Sequence, residues 1–147
     1  MPGALMIDLV VDSSVAIKWF VPETFSAEAD RILLAHDQGA LAFTAPEVIY
    51  AEFGNIVWKK HLFQGLSASD ADFALARFQQ LNFSVTSDAA LLDEAYRLAV
   101  MYKRTVYDSL YLALSLRVGC QFVTADERLV NAVGATFSNV IWLANWP

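Results

Sequence analysis

The chain has 147 residues and a net charge of −6, and 56% of it is hydrophobic. That length suits a single domain over residues 1–147, and the apolar share excludes a disordered chain. The acidic balance argues against a protein that coats nucleic acid nonspecifically, because such binders cluster an excess of Lys and Arg. To handle a polyanion, this chain must offset its own charge with a bound cation or a local basic patch.

The predicted elements alternate strand and helix. Met6 to Val11 is a short run of branched apolar residues and reads as a buried strand ending at Asp12. Ser14 to Phe20 reads as a short helix stopped near Pro22. Phe25 to His36 repeats apolar residues at helical spacing, and Gly39 closes it. Leu41 to Phe43 is a second strand. Thr44 and Glu47 have capping-box spacing with Pro46 between them, so a helix is expected from Pro46 to about His61. Ser69 to Leu81 is helical, and Phe83 to Val85 is a weak strand. Helices follow over Asp88 to Tyr102 and Thr105 to Val118. Gln121 to Val123 is a strand, Asp126 to Val133 a helix closed by Gly134, and Val140 to Leu143 the last strand. Strands separated by helices imply an α/β fold, a parallel sheet with helices on both faces.

Cysteine and histidine are scarce. One cysteine, Cys120, excludes an internal disulfide, and with two histidines a zinc site is not expected. Cys120 lies in an apolar stretch and reads as a buried structural thiol. His36 and His61 fall near helix ends, where the dipole accounts for them. No charge-free apolar run reaches about 18 residues, and no basic segment precedes a long apolar one. The expectation is no membrane span, no signal peptide and a cytoplasmic location.

Four carboxylates occupy positions that packing does not ask for. Glu52 falls on the same helical stripe as Ile49, Phe53 and Ile56, where a charge is costly unless paired or bound to a cation. Asp12 ends the first strand, where α/β folds place ligand chemistry. Asp108 lies in the first turn of a helix that is apolar nearly all round, and Asp126 follows a strand and opens a helix. Each has a structural reading of its own. Glu52 can reach water from the edge of the stripe, Asp12 can cap a helix, Asp108 can complement a dipole, and Asp126 sits inside a Thr124–Glu127 capping-box spacing. Taken together they are harder to dismiss. Asp12 and Asp126 follow two strands at the same carboxyl edge, and several close carboxylates cannot all stay ionised without a counter-charge. A hard divalent cation with oxygen ligands supplies one, and Mg²⁺ or Mn²⁺ fits best. Such a cluster can activate water and stabilise the leaving oxygen in phosphodiester hydrolysis.

Leu9-Val10-Val11-Asp12-Ser13-Ser14, Ala45-Pro46-Glu47 through Glu52 to Asn55, Tyr107-Asp108-Ser109-Leu110-Tyr111-Leu112-Ala113 and Val123-Thr124-Ala125-Asp126-Glu127-Arg128-Leu129, in that order, resemble the PIN-domain ribonucleases. In particular they resemble VapC-type toxins of toxin–antitoxin pairs, over almost the whole chain. The resemblance implies a parallel sheet of about five strands in the order 3-2-1-4-5. It also implies Mg²⁺-dependent RNA cleavage, a homodimer, and a cognate antitoxin that inserts a segment at or near the active site. Asp12, Glu52, Asp108 and Asp126 match the family's acidic positions as catalytic and metal ligands, and Thr124 matches a supporting hydroxyl. Some members carry a further acidic residue after the fourth. Here Glu127 and Asn131 stand nearby, which departs from a two-metal pattern.

Lys18, Lys59, Lys60, Lys103, Arg104 and Arg128 are candidate RNA-phosphate contacts. Trp19, Phe20, Trp58 and Phe63 are candidates for core packing or for a partner groove. The competing class is a catalytically silent module of the same fold that binds RNA or a protein, and clustered carboxylates gain such a module nothing. A haloacid dehalogenase-type phosphatase needs a second Asp where Ser14 stands. A receiver domain needs an acidic pair and a late Lys, and a dinucleotide site needs a glycine-rich first turn.

Overall fold

The alternation of sides along the buried half of β1 (Ile7–Val11) sets the layers. Leu9 and Val11 belong to one apolar cluster, Val10 to another, and all three are buried. A strand covered on both faces is what a parallel sheet between helices requires. The computed structural model describes residues 6–147, and it contains that sheet. Five parallel strands stand in the order β3-β2-β1-β4-β5, with β2 at Leu41–Pro46, β3 at Ser84–Thr86, β4 at Gln121–Thr124 and β5 at Val140–Trp142.

The helices are α1 (Ser13–Ala16), α2 (Ser26–Asp37), α3 (Val48–Phe63), α4 (Ala68–Gln80), α5 (Asp88–Tyr102), α6 (Val106–Val118) and α7 (Glu127–Val133). Helices α3 to α7 cover the Val10 side, where the Phe53 and Phe78 rings stack at 3.9 Å. Helix α2 and the terminal turn at Leu143 cover the other side, where Trp19 stacks on Phe43 and bonds the Ala29 carbonyl. Helix α6 is buried from Ser109 to Ser115, because it lies between the sheet and α5. That explains why its sequence is apolar nearly all round.

Two expectations are corrected. The Thr44–Glu47 pair is not a capping box. Strand β2 continues through Pro46, since Thr44, Ala45 and Pro46 pair with Ser84, Val85 and Thr86, and the Thr44 hydroxyl donates to the Ser84 carbonyl. Long-range ladder bonds outweigh the local cap. Helix α3 is instead capped from a distance, in a reciprocal pair with α5. Asp88 accepts from the Val48 N–H at 3.2 Å, and Glu47 accepts from the Asp88 N–H at 3.3 Å. At the other end of the chain, the last strand stops at Trp142, and Leu143 starts a 3-10 turn. Trp146 packs back on the small core, with its carbonyl bonded by Arg31.

Candidate active site

The order reverses at β1, and the crevice outside the carboxyl ends of β1 and β4 is where such sheets bind ligands. The β1–β4 register pairs Val11 with Val123, so one further step sets Asp12 opposite Thr124. The buried Thr124 hydroxyl donates to Asp12 Oδ2 and accepts the Asp126 N–H at 3.1 Å. Asp12 Oδ1 accepts from the Ser14 hydroxyl and from the Val15 N–H, so the residue also caps α1. Ser14 in turn accepts the Ala125 N–H at 3.0 Å. The strand ends are thereby stitched through two hydroxyls.

Glu52 reaches the crevice from α3, one position before the buried Phe53. Its Oε1 accepts from the Tyr111 hydroxyl on α6 and, at 3.4 Å, from Ser13. Asp108 lies in the first turn of α6, behind the Thr105 cap. Asp126 caps α7 with Oδ1, which accepts from the N–H groups of Arg128 and Leu129. Its Oδ2 faces Arg104, whose Nη2 is 3.5 Å from it and 3.3 Å from Asp108 Oδ2. The capping reading of Asp12 therefore holds, whereas the Thr124–Glu127 box does not form, because Thr124 ends β4 and Asp126 itself caps α7.

These acids repel one another. Asp12 is 8% exposed, and burial pushes its carboxyl up to about 6. Bonds from Ser14, Thr124 and Val15 oppose that rise, and the Glu52 charge adds to it. Glu52 is also raised, chiefly by burial, with Tyr111 opposing and Asp108 reinforcing. Asp108 is raised by burial against the Arg104 charge, with Asp126 reinforcing. Repulsion thus links Asp12 to Glu52, Glu52 to Asp108 and Asp108 to Asp126. Among the described residues, no three His, Cys, Asp or Glu side chains converge tightly enough to coordinate an ion in this conformation. Hydroxyls and one guanidinium occupy the inner oxygens instead. The donor set itself, all carboxylate oxygen, is what a hard divalent cation takes.

Residues 9–134 match the PIN domain family. Ribonuclease VapC3 of Pyrobaculum aerophilum is 34% identical over 125 residues, which cover 82% of this chain and 91% of that protein. The chain is a PIN-domain protein of the VapC type. Solved structures share its fold. PAE2754 from Pyrobaculum aerophilum has a TM-score of 0.70 at 23% identity, covering 95% of this chain and 93% of that one. Mycobacterium tuberculosis VapC20, described as a sarcin-ricin loop cleaving toxin, has a TM-score of 0.63 at 16% identity, covering 84% and 94%. A toxin–antitoxin complex from Klebsiella pneumoniae contains a chain with a TM-score of 0.62 at 16% identity, covering 92% and 97%.

Sequence reasoning overlooked part of this PIN domain's crevice. Ser13, Ser14 and Tyr111 hold the acids, yet Tyr111 reads in sequence as one more apolar residue of α6. The available signal was its polar tip, three residues after Asp108 on a fully covered helix. Two of the basic candidates are engaged elsewhere. Lys18 and Lys60 both pair with Glu23. Lys59, Lys103 and Arg128 are exposed. Of the aromatic candidates, Trp19 and Phe20 pack inward, while Trp58 and Phe63 stand 51% and 71% exposed, edge to face. Cys120 is half-buried rather than fully buried, and burial pushes its thiol up, away from the thiolate form.

Proposed function

We propose that the chain is a Mg²⁺-dependent endoribonuclease, the toxin of a toxin–antitoxin pair, with Mn²⁺ able to replace Mg²⁺. The observation that carries this reading is a deficit of counter-charge. Burial and mutual repulsion raise Asp12, Glu52 and Asp108 together at the switch point, and one arginine answers them. Buried like charges of this kind call for a cation. Asp12, Glu52, Asp108 and Asp126 would hold it. When bound, such an ion supplies an activated water and a Lewis acid for the phosphoryl oxygens.

The protein's own groups prepare that chemistry. Ser14 and Thr124 fix both oxygens of Asp12, and Tyr111 and Ser13 fix one oxygen of Glu52, leaving Oε2 without a hydrogen-bond partner among the described residues. Fixing a ligand's orientation is what outer hydrogen bonds do around metal sites. The relative named as a ribonuclease supports RNA as substrate, and the toxin–antitoxin complex supports a protein antitoxin as partner. A homodimer in the cytoplasm completes the reading. The exposed stripe of Leu92, Tyr96 and Val100 along α5 offers apolar surface for a second copy.

The test is cleavage of an oligoribonucleotide with Mg²⁺ or Mn²⁺, with EDTA and Asp12→Asn as controls. Metal-dependent cleavage that Asp12→Asn abolishes is expected. Cleavage that persists in EDTA, or an Asp12→Asn variant as active as wild type, defeats it.

A further inference from the structure

Arg104 is the cation that pairs with the acidic quartet among the described residues, and its geometry is poor for a permanent partner. A single nitrogen, Nη2, serves two carboxylates, at 3.3 and 3.5 Å. Charge-assisted bonds settle near about 2.7–2.9 Å, and arginine holds a carboxylate best with two parallel bonds. Neither condition is met. The Nε atom is buried and has no hydrogen-bond partner among the described residues, so part of the guanidinium's donor capacity is unused at the very place where it is withdrawn from water.

The base of the side chain, by contrast, is firmly placed. Helix α5 ends on Lys103 in the left-handed region, φ 55°, a conformation that L residues other than Gly, Asn and Asp adopt reluctantly. The Arg104 N–H then bonds the Ala99 carbonyl at 3.1 Å, and Thr105 caps α6 immediately afterwards. A rigid turn thus delivers a loosely held cation to the mouth of the crevice.

We propose that Arg104 is a built-in counter-charge that a divalent cation displaces from Asp108 and Asp126, and that the released guanidinium then grips an RNA phosphate. This rests on the metal-dependent nuclease reading above. Two positive charges compete for the same pair of carboxylates, so metal loading and the Arg104 contact exclude one another. Once freed, the guanidinium sits beside the pocket with its donors unsatisfied, and the incoming anion is a phosphate, which the fork of an arginine matches with two bonds. Arg104 would then contribute to substrate binding in the metal-loaded protein and weaken metal binding in the free one.

The experiment titrates Mn²⁺ into full-length wild type and Arg104→Gln by calorimetry, and then measures cleavage of a single-stranded oligoribonucleotide at saturating Mn²⁺. The variant should bind Mn²⁺ about 3- to 10-fold more tightly, the size expected for removing one unit charge a few ångströms away from carboxylates that solvent still screens on their exposed side. Its kcat/KM should fall, mainly through KM, and Arg104→Lys should restore part of the loss. A purely structural arginine would weaken both measures. Mn²⁺ affinity within twofold of wild type, or an unchanged kcat/KM, overturns the inference while leaving the nuclease reading standing. Wild type that binds no Mn²⁺ overturns both. If Arg104→Gln does not fold, Arg104→Met, of similar length and uncharged, carries the same comparison.

Discussion

Glu23 and the more deeply set Asp12–Glu52 pair are carboxylates that burial alone would raise, and their surroundings treat them in opposite ways. Around Glu23, Lys18 and Lys60 approach from α1's extension and from α3, one to each oxygen. Burial alone would raise its carboxyl, but the Lys60 and Lys18 bonds and charges outweigh that and hold it below the ordinary range. Around Asp12 and Glu52 the partners are neutral hydroxyls, the nearest charges are of the same sign, and both carboxyls are raised. Burial by itself therefore does not mark a functional acid. What separates the two regions is whether the fold has supplied a counter-charge. Glu23 is complete within the protein and reads as an ion-paired tie, while the crevice is left short of positive charge.

The largest expected contrast is catalytic. Asp12→Asn, Glu52→Gln and Asp126→Asn should each cut metal-dependent RNA cleavage by about a hundredfold or more, since even the outer hydrogen-bond partners of a metal site cost roughly 10- to 100-fold when lost. Glu23→Gln should stay within a few-fold of wild type. A Glu23 variant as damaged as the others would erase the distinction.

Next comes Tyr111→Phe, which removes the neutral donor from Glu52 without touching the charge count. Loss of a ligand-orienting bond of this kind costs roughly 10-fold in metal affinity. Mn²⁺ titration of the folded variant checks it, and an affinity equal to wild type would mean that Tyr111 only fills space.

Stability should then divide the regions by sign. Glu23→Gln leaves two lysines without their shared partner and should cost about 1 kcal/mol, discounted for the water that reaches the pair. In a chain of this length that is a drop of about 2–4 °C in Tm. Glu52→Gln relieves repulsion and keeps a carbonyl oxygen to accept from Tyr111, so without metal it should melt no lower than wild type. Thermal melts in EDTA decide both, and equal losses would contradict the contrast.

The smallest effect is a pH slope. Asp12 binds its proton more tightly folded than unfolded, since its carboxyl is raised from 3.8 to about 6. Its contribution is therefore full below about pH 4 and is lost as pH rises through about 6. Glu23 is lowered, so its contribution is present above its ordinary value of 4.5 and is lost as pH falls through the depressed one. Metal-free wild type should lose Tm between pH 5 and pH 7.5 relative to Asp12→Asn, and added Mg²⁺ should shrink that difference. Parallel curves for the two proteins would show that Asp12 ionises without strain.

Much of the fold was legible because local pattern and tertiary demand agreed. The strand read up to Asp12 is there, although only Leu9 to Val11 of it are buried, and helices α5, α6 and α7 begin within a residue of where the sequence pattern places them. Legibility failed where a distant partner decided. Pro46 reads as a helix start, and only β3 makes it the end of a strand. Lys18 and Lys60 read as free cations, and only the fold brings Glu23 between them. Within the crevice, the acids stood out because charge is conspicuous in an apolar pattern. Tyr111 did not, because its hydroxyl acts on a residue 59 positions away.

The peptide groups of Ala125 and Asp126 have an influence beyond their own turn. Each points an N–H at a hydroxyl, Ser14 and Thr124, and each of those hydroxyls has one proton to give. With the peptide hydrogen arriving from behind, that proton is turned toward Asp12 in both cases. Both oxygens of Asp12 thus meet incoming protons, an arrangement that suits its charged form better than its neutral one. The orientation of two backbone amides on one loop, relayed through a serine and a threonine, sets the polarity around an acid just past the end of a different strand.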